Sequence, residues 1–199
     1  RLSLVILNEK IYFNNSLGDI SAVDINNGNL LWQTPTQSSL AFDTGFFLKT
    51  SDVVADKEAL FFSNNQNQFF SLDIQTGNLN WKQEINSNLR PVIINDLIFT
   101  ISMEGYLIIM EKNTGNIIRS NYLLNKFKAK NRPKIKPTGF IVGNKNIYLS
   151  SNIGRLLVID IATGETKTIL KIDNKKISRP AIFNKNLYLI TDNSIIKLN

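Results

Sequence analysis

Six cations crowd one short stretch of the chain. Lys126, Lys128, Lys130, Arg132, Lys134 and Lys136 stand between Leu123 and Gly139, with Phe127 among them and no acidic residue in the run. Such a segment can dock an acidic partner or an anionic surface, or can serve as a solvated rim. Two more cations, Arg90 and Arg179, each stand directly before a proline. A guanidinium there can bind a carboxylate. It can equally fix the entry of a strand, because proline favours an extended start.

Composition narrows the remaining chemistry. The 199 residues include no His and no Cys, which removes an imidazole base, a thiolate nucleophile, disulfides and zinc sites built on those ligands. The lack of Cys suits cytosol and periplasm equally. The formal charge is +7, but no nucleic-acid recognition motif accompanies it, and Lys, Asn and Ile are heavily used throughout. Nucleic acid is therefore not an expected partner.

The carboxylates that recur do so beside glycines. Asp24 precedes Gly28, Asp73 precedes Gly77 and Asp160 precedes Gly164, each by four residues, and Glu111 precedes Gly115 in the same way. An Asp can accept hydrogen bonds from backbone amides just ahead of it, and Gly can take positive φ without a Cβ clash. These residues are read as hairpin chemistry, not as a catalytic or calcium-binding set.

The glycines mark a repeat, and repeats decide architecture. Gly28, Gly77, Gly115 and Gly164 are separated by 49, 38 and 49 residues. The apolar runs KIYF (10–13), ALFF (59–62), LIFT (97–100), NIYL (146–149) and NLYL (186–189) step in the same rhythm. One unit reads PVIIN, LIFTIS, YLIIMEK, NIIRSNYL: short runs rich in Ile, Val, Phe and Tyr, bounded by Asn, Asp or Gly. That is the pattern of strands and turns, with no sustained helical period. The most apolar window, residues 91–110, is broken by Asp96, Glu104 and Gly105. It is expected to form strands, not a membrane span.

Four short antiparallel strands in about 40 residues match a propeller blade. The fold class expected is all-β: a β-propeller of four-stranded antiparallel blades over residues 1–199. The blades fall at about 3–36, 52–87, 90–124, 139–174 and 180–199. SIIKLN (194–199) aligns with a third strand, so the fifth blade is expected to lack its outermost one. This pattern predicts the C-terminal part of a longer seven- or eight-bladed protein, with a five-bladed ring as the alternative. Trp32 and Trp81 stand four residues after their glycines, in the outermost strand, where a flat side chain can wedge against the next blade. Arg119 and Thr168 take that position in later copies, so the packing is expected to vary. The 49-residue steps place two insertions, residues 36–52 and 123–139, in connections that would open on the same face. Loops on a rigid scaffold are where binding chemistry concentrates.

SLDIQTGNLNW (71–81) resembles the core of the PQQ-type propeller repeat, and AVDINNGNLLW, VIDIATGET and IMEKNTGNI match it in part. The family holds quinone-dependent alcohol and glucose dehydrogenases, and also non-enzymatic scaffolds such as the outer-membrane assembly lipoprotein BamB. The vicinal Cys pair of the methanol-dehydrogenase-like enzymes is missing here, and no calcium-ligand or catalytic Asp can be placed by motif. The resemblance therefore implies a non-catalytic, BamB-like protein-interaction scaffold, periplasmic or associated with the outer membrane, with a barrel-assembly component as its protein partner. No cofactor is expected. The alternative is a fragment of a PQQ-dependent dehydrogenase, with PQQ and calcium as its cofactors. A sensor or adhesion module fused to something upstream is a further alternative. The candidate partner-binding residues are the six cations of 126–136 with Arg90 and Arg179. An exposed blade flank also allows a dimer.

Overall fold

The computed structural model describes residues 3–15, 18–36 and 48–198. Much of the first expected insertion, residues 37–47, lies outside them. The described chain is organised into five antiparallel sheets. The first holds β1 (Leu4–Leu7), β2 (Lys10–Asn14), β3 (Ile20–Asp24) and β4 (Leu30–Thr34). The second holds β5 (Val54–Ala55), β6 (Ala59–Asn64), β7 (Gln68–Asp73) and β8 (Leu79–Gln83). The third holds β9 (Val92–Ile94), β10 (Leu97–Ile101), β11 (Tyr106–Glu111) and β12 (Ile117–Tyr122). The fourth holds β13 (Pro137–Val142), β14 (Asn146–Ser151), β15 (Arg155–Asp160) and β16 (Thr166–Lys171). The fifth has three strands: β17 (Ala181–Phe183), β18 (Asn186–Ile190) and β19 (Ile195–Leu198). Within every sheet the strands neighbour one another in chain order, so each connection is a hairpin. This is the β-propeller blade architecture.

The residue patterns explain why the strands take these places. In β6 (ALFFSN) every residue is buried, and in β7 (QFFSLD) only the two ends are not. Strands covered on both faces read as continuous apolar runs. The outermost strands alternate instead: LLWQT and LNWKQ each bury one face partly and leave the other wet. Asn8 with Glu9, and Asn184 with Lys185, all at positive φ, close the first hairpins of sheets one and five. Positive φ at both central residues gives the mirror-image turn that matches strand twist.

The chain divides into two compact units, Arg1–Ile98 with Glu111–Asn116, and Phe99–Met110 with Ile117–Asn199. In the first, Tyr12, Ile20 and Ala22 of sheet one pack with Val53, Leu60 and Phe62 of sheet two in one buried cluster. In the second, Leu156 of sheet four packs with Ile177, Leu187 and Leu189 beside sheet five. Flat apolar faces stacked on their neighbours hold both units together, because strands this short bury too little surface alone.

Candidate functional site

The recurring carboxylates build hairpins. Asp73 Oδ1 accepts from the amides of Gln75 (3.0 Å) and Thr76 (2.7 Å) and from the Thr76 hydroxyl (2.8 Å). Asp24 and Asp160 accept from the two equivalent amides. In the third copy Glu111 uses its longer arm to take the Thr114 hydroxyl at 2.7 Å. The glycine four residues on returns its amide to the carbonyl of the acidic residue in all four turns, with φ between 73 and 74°. The Thr76 hydroxyl and these amides hold the Asp73 carboxyl below its usual range. At Asp160 the Lys167 ammonium, 2.6 Å away, is the main cause of a value near the bottom of the carboxylate range, about 2. Carboxylates so saturated have little capacity left for base chemistry.

The turns are also sockets. A Cβ on Gly77 would lie 2.5 Å from Trp32 Cε3, and one on Gly115 would lie 2.6 Å from Trp81. Each tryptophan therefore lies flat on the glycine of the following hairpin. Trp32 Nε1 donates to the Ile74 carbonyl (3.3 Å) and Trp81 Nε1 to the Lys112 carbonyl (2.9 Å). Phe61 and Phe69 back Trp81 at 6.1 and 5.9 Å between ring centres. Lys112 is itself pinned to Asp56 at 2.9 Å. Burial pushes the Asp56 carboxyl up, but Lys112 and the amides of Glu58 and Ala59 outweigh it and the net shift is down. Asp56 in turn raises Lys112. Arg119 does the same work in the second unit. Its guanidinium donates to the carbonyls of Ala162 (2.6 Å) and Ile161 (3.4 Å), while Asn121 and the Arg119 stem lie against Gly164. The side chains vary along the chain, but an N–H donor over the same carbonyl position recurs.

The basic run is ordered by its own backbone. Residues Ala129–Lys134 form a short 3-10 helix with no acid in its first turn. Arg132 ties the segment down, donating Nε to the Phe127 carbonyl (2.9 Å) and an Nη to the Asn125 carbonyl (2.7 Å). The Arg132 guanidinium also stands over the Tyr122 ring at 5.8 Å, and Tyr122 pairs with Tyr106 at 4.9 Å. Sequence reasoning did not single out this aromatic support. Its only trace is that strand register places Tyr106 opposite Tyr122. Lys126 reaches across to the Lys167 carbonyl (2.7 Å). Lys128, Lys130, Lys134 and Lys136 are exposed. The fold thus brings four outward ammonium groups together on one anchored segment. Exposed ammonium groups can make charge-assisted hydrogen bonds to a carboxylate or phosphate.

Arg90 and Arg179 are not part of that cluster. Arg90 is exposed. Arg179 donates Nε to the Phe140 carbonyl (3.1 Å), and a Cβ on Gly139 would strike its stem. Arg179 therefore pins the entry to sheet five onto β13. Among the described residues no group of three or more Asp or Glu side chains is placed to hold a metal ion. A cavity of about 280 Å³ lies in the second unit between Tyr148, Val158 and Leu170 on one side and Ile182, Leu187 and Leu198 on the other. Lys185 and Asn186 also line it.

Comparison with known proteins agrees with this architecture. The crystal structure of BamB from Moraxella catarrhalis matches 98% of this chain and 70% of its own, at 14% identity and a TM-score of 0.60. The β-propeller domain of Cps50 (Swd1) from Myceliophteria thermophila matches 98% and 63%, at 12% identity and a TM-score of 0.73. The quinohemoprotein alcohol dehydrogenase from Comamonas testosteroni matches 94% of this chain but only 39% of its own, at 12% identity and a TM-score of 0.68. At such identities the likeness is one of fold. No curated protein matches the sequence. Residues 1–121 match a family model described as outer membrane protein assembly factor BamB, and the chain belongs to that family.

Proposed function

We propose that this protein is a non-catalytic interaction scaffold that docks an acidic protein surface through its 126–136 segment. The observation that carries the reading is the anchored, outward-facing basic segment on a blade scaffold. Rigid presentation reduces the entropy lost when side chains are immobilised on binding. Clustered charge of one sign steers encounter with an oppositely charged partner. Membership of the BamB family supports a place at the periplasmic side of the outer membrane, with a component of β-barrel assembly as the partner. No helix among the described residues is long and apolar enough to cross a membrane.

The test is affinity purification of the tagged protein from detergent-solubilised envelopes, read by mass spectrometry. Wild type is expected to recover a barrel-assembly protein. Replacing Lys128, Lys130 and Lys134 with Glu is expected to abolish that recovery, and moderate salt to weaken it. Recovery unchanged by the charge reversal would overturn the role of the segment. Thermal stabilisation by PQQ with calcium would overturn the non-catalytic reading.

A further inference from the structure

The turn between β14 and β15 grips two connections at once. Asn152 Oδ1 accepts from the Lys136 amide (2.7 Å), and its Nδ2 donates to the Lys134 carbonyl (3.0 Å). The Asn152 amide donates to the Lys136 carbonyl (3.0 Å). These bonds fix the downstream end of the basic segment, as Arg132 fixes its upstream end. Two residues on, the Gly154 carbonyl accepts from the amides of Ile172 (3.0 Å) and Asp173 (3.1 Å). Arg155 donates an Nη to the Asp173 carbonyl (2.9 Å), and the Thr138 hydroxyl donates to the Ile177 carbonyl (2.9 Å). A Cβ on Gly154 would strike the Asp173 carbonyl, and its φ is +70°. Glycine is therefore what lets the second connection lie this close.

That second connection, IDNKKI (172–177), runs from sheet four to sheet five, as the basic segment runs from sheet three to sheet four. Both lie in the second unit, with described strands before and after each. Lys175 and Lys176 are exposed. The neighbouring acids are already engaged. Asp173 Oδ1 accepts from the amides of Asn174 and Lys175, and Asp192 meets the Lys175 ammonium at 3.1 Å. Lys176 takes part in neither contact. The Lys175–Asp192 pair is open to water on both sides, so it holds weakly and an incoming carboxylate can compete for the ammonium. One turn thus holds Lys134 and Lys136 through Asn152, and the loop of Lys175 and Lys176 through Gly154 and Arg155.

We propose that the acidic partner meets a composite surface: Lys175 and Lys176 extend the 126–136 segment, and the β14–β15 turn sets the two connections at a fixed separation. This rests on the segment being the docking site and adds its second half. Single exposed ion pairs contribute little, so useful affinity needs several met together on loops that are already held in place. The partner that fits is a protein segment with carboxylates spread along it, long enough to reach both connections. An anionic bilayer fits less well. Stable membrane binding combines charge with an apolar anchor, whereas Leu123, Leu124, Ile135 and Ile177 are buried and Phe127 and Ile172 are half-buried. Neither connection has a large apolar side chain exposed to enter lipid.

The experiment titrates the protein into a fluorescent polyglutamate peptide at low salt and reads anisotropy. Lys176→Glu is compared with Lys145→Glu, which makes the same charge change at an exposed residue of the β13–β14 hairpin, at the other end of sheet four. Lys176→Glu is expected to weaken binding roughly three- to tenfold, and Lys145→Glu less than about twofold. Equal effects of the two, with binding still lost when Lys128, Lys130 and Lys134 are reversed, would overturn the composite surface and leave the segment as the docking site. No loss on that triple reversal would overturn both. Binding to phosphatidylglycerol vesicles without binding to the peptide would overturn the choice of a protein partner.

Discussion

Gly28 and Gly77 form a matched pair for testing the blade interlock. They close equivalent hairpins of sheets one and two, with φ of 74 and 73°, so replacing either with Ala places a Cβ in the left-handed region at a common cost of about 1–2 kcal/mol. Their surroundings differ. A Cβ at Gly28 enters open space, whereas at Gly77 it would lie 2.5 Å from Trp32 Cε3 and 2.7 Å from Thr34 Oγ1. The indole cannot simply step aside, because its Nε1 is bonded to the Ile74 carbonyl and its ring packs on Tyr12 at 6.0 Å. Forcing a methyl into such a contact costs a further ~1–3 kcal/mol. Gly77→Ala is therefore expected to lose about 2–5 kcal/mol in all, against about 1–2 kcal/mol for Gly28→Ala. Urea unfolding at dilute concentration, where any self-association is suppressed, measures both by the shift in midpoint at constant slope. Equal losses at the two sites would refute the idea that Trp32 seals the second hairpin.

Three other outcomes follow from the same geometry. Trp81→Ala should cost about 3 kcal/mol, because a half-buried indole loses about half of a full aromatic truncation together with one hydrogen bond; Trp81→Phe should cost about 1 kcal/mol, and chemical denaturation separates them. Asp160 titrates from about 2 in the fold against an ordinary value of 3.8. Its contribution is complete above 3.8 and is lost as pH falls through about 2, so the melting gap between wild type and Asp160→Asn should close on acidification, and a gap that stayed constant would count against the Lys167 pair. Arg132→Ala frees the carbonyls of Phe127 and Asn125 and should speed tryptic nicking at Lys126, Lys128 and Lys130 while moving global stability by no more than about 1 kcal/mol; an unchanged digestion rate would show that the segment does not depend on this anchor.

Strand positions were legible because the signals are local. Alternating apolar runs marked the strands, the Asp-to-Gly spacing marked the hairpin between the third and fourth strands of sheets one to four, and SIIKLN aligned with the third strand that it forms in sheet five. The basic segment was legible as charge but not as structure. A 3-10 helix of six residues has no apolar period to read, and the contacts that hold it run from a guanidinium to carbonyls five and seven residues away. The interlock shows a further limit. Reading the repeat by residue type makes Arg119 an exception to Trp32 and Trp81, because the letters differ. Geometrically it is the rule: all three place an N–H donor on the carbonyl that follows the acidic turn residue. The repeat thus keeps a hydrogen-bond position and a flat surface against glycine, and the side chain that supplies them is free to change.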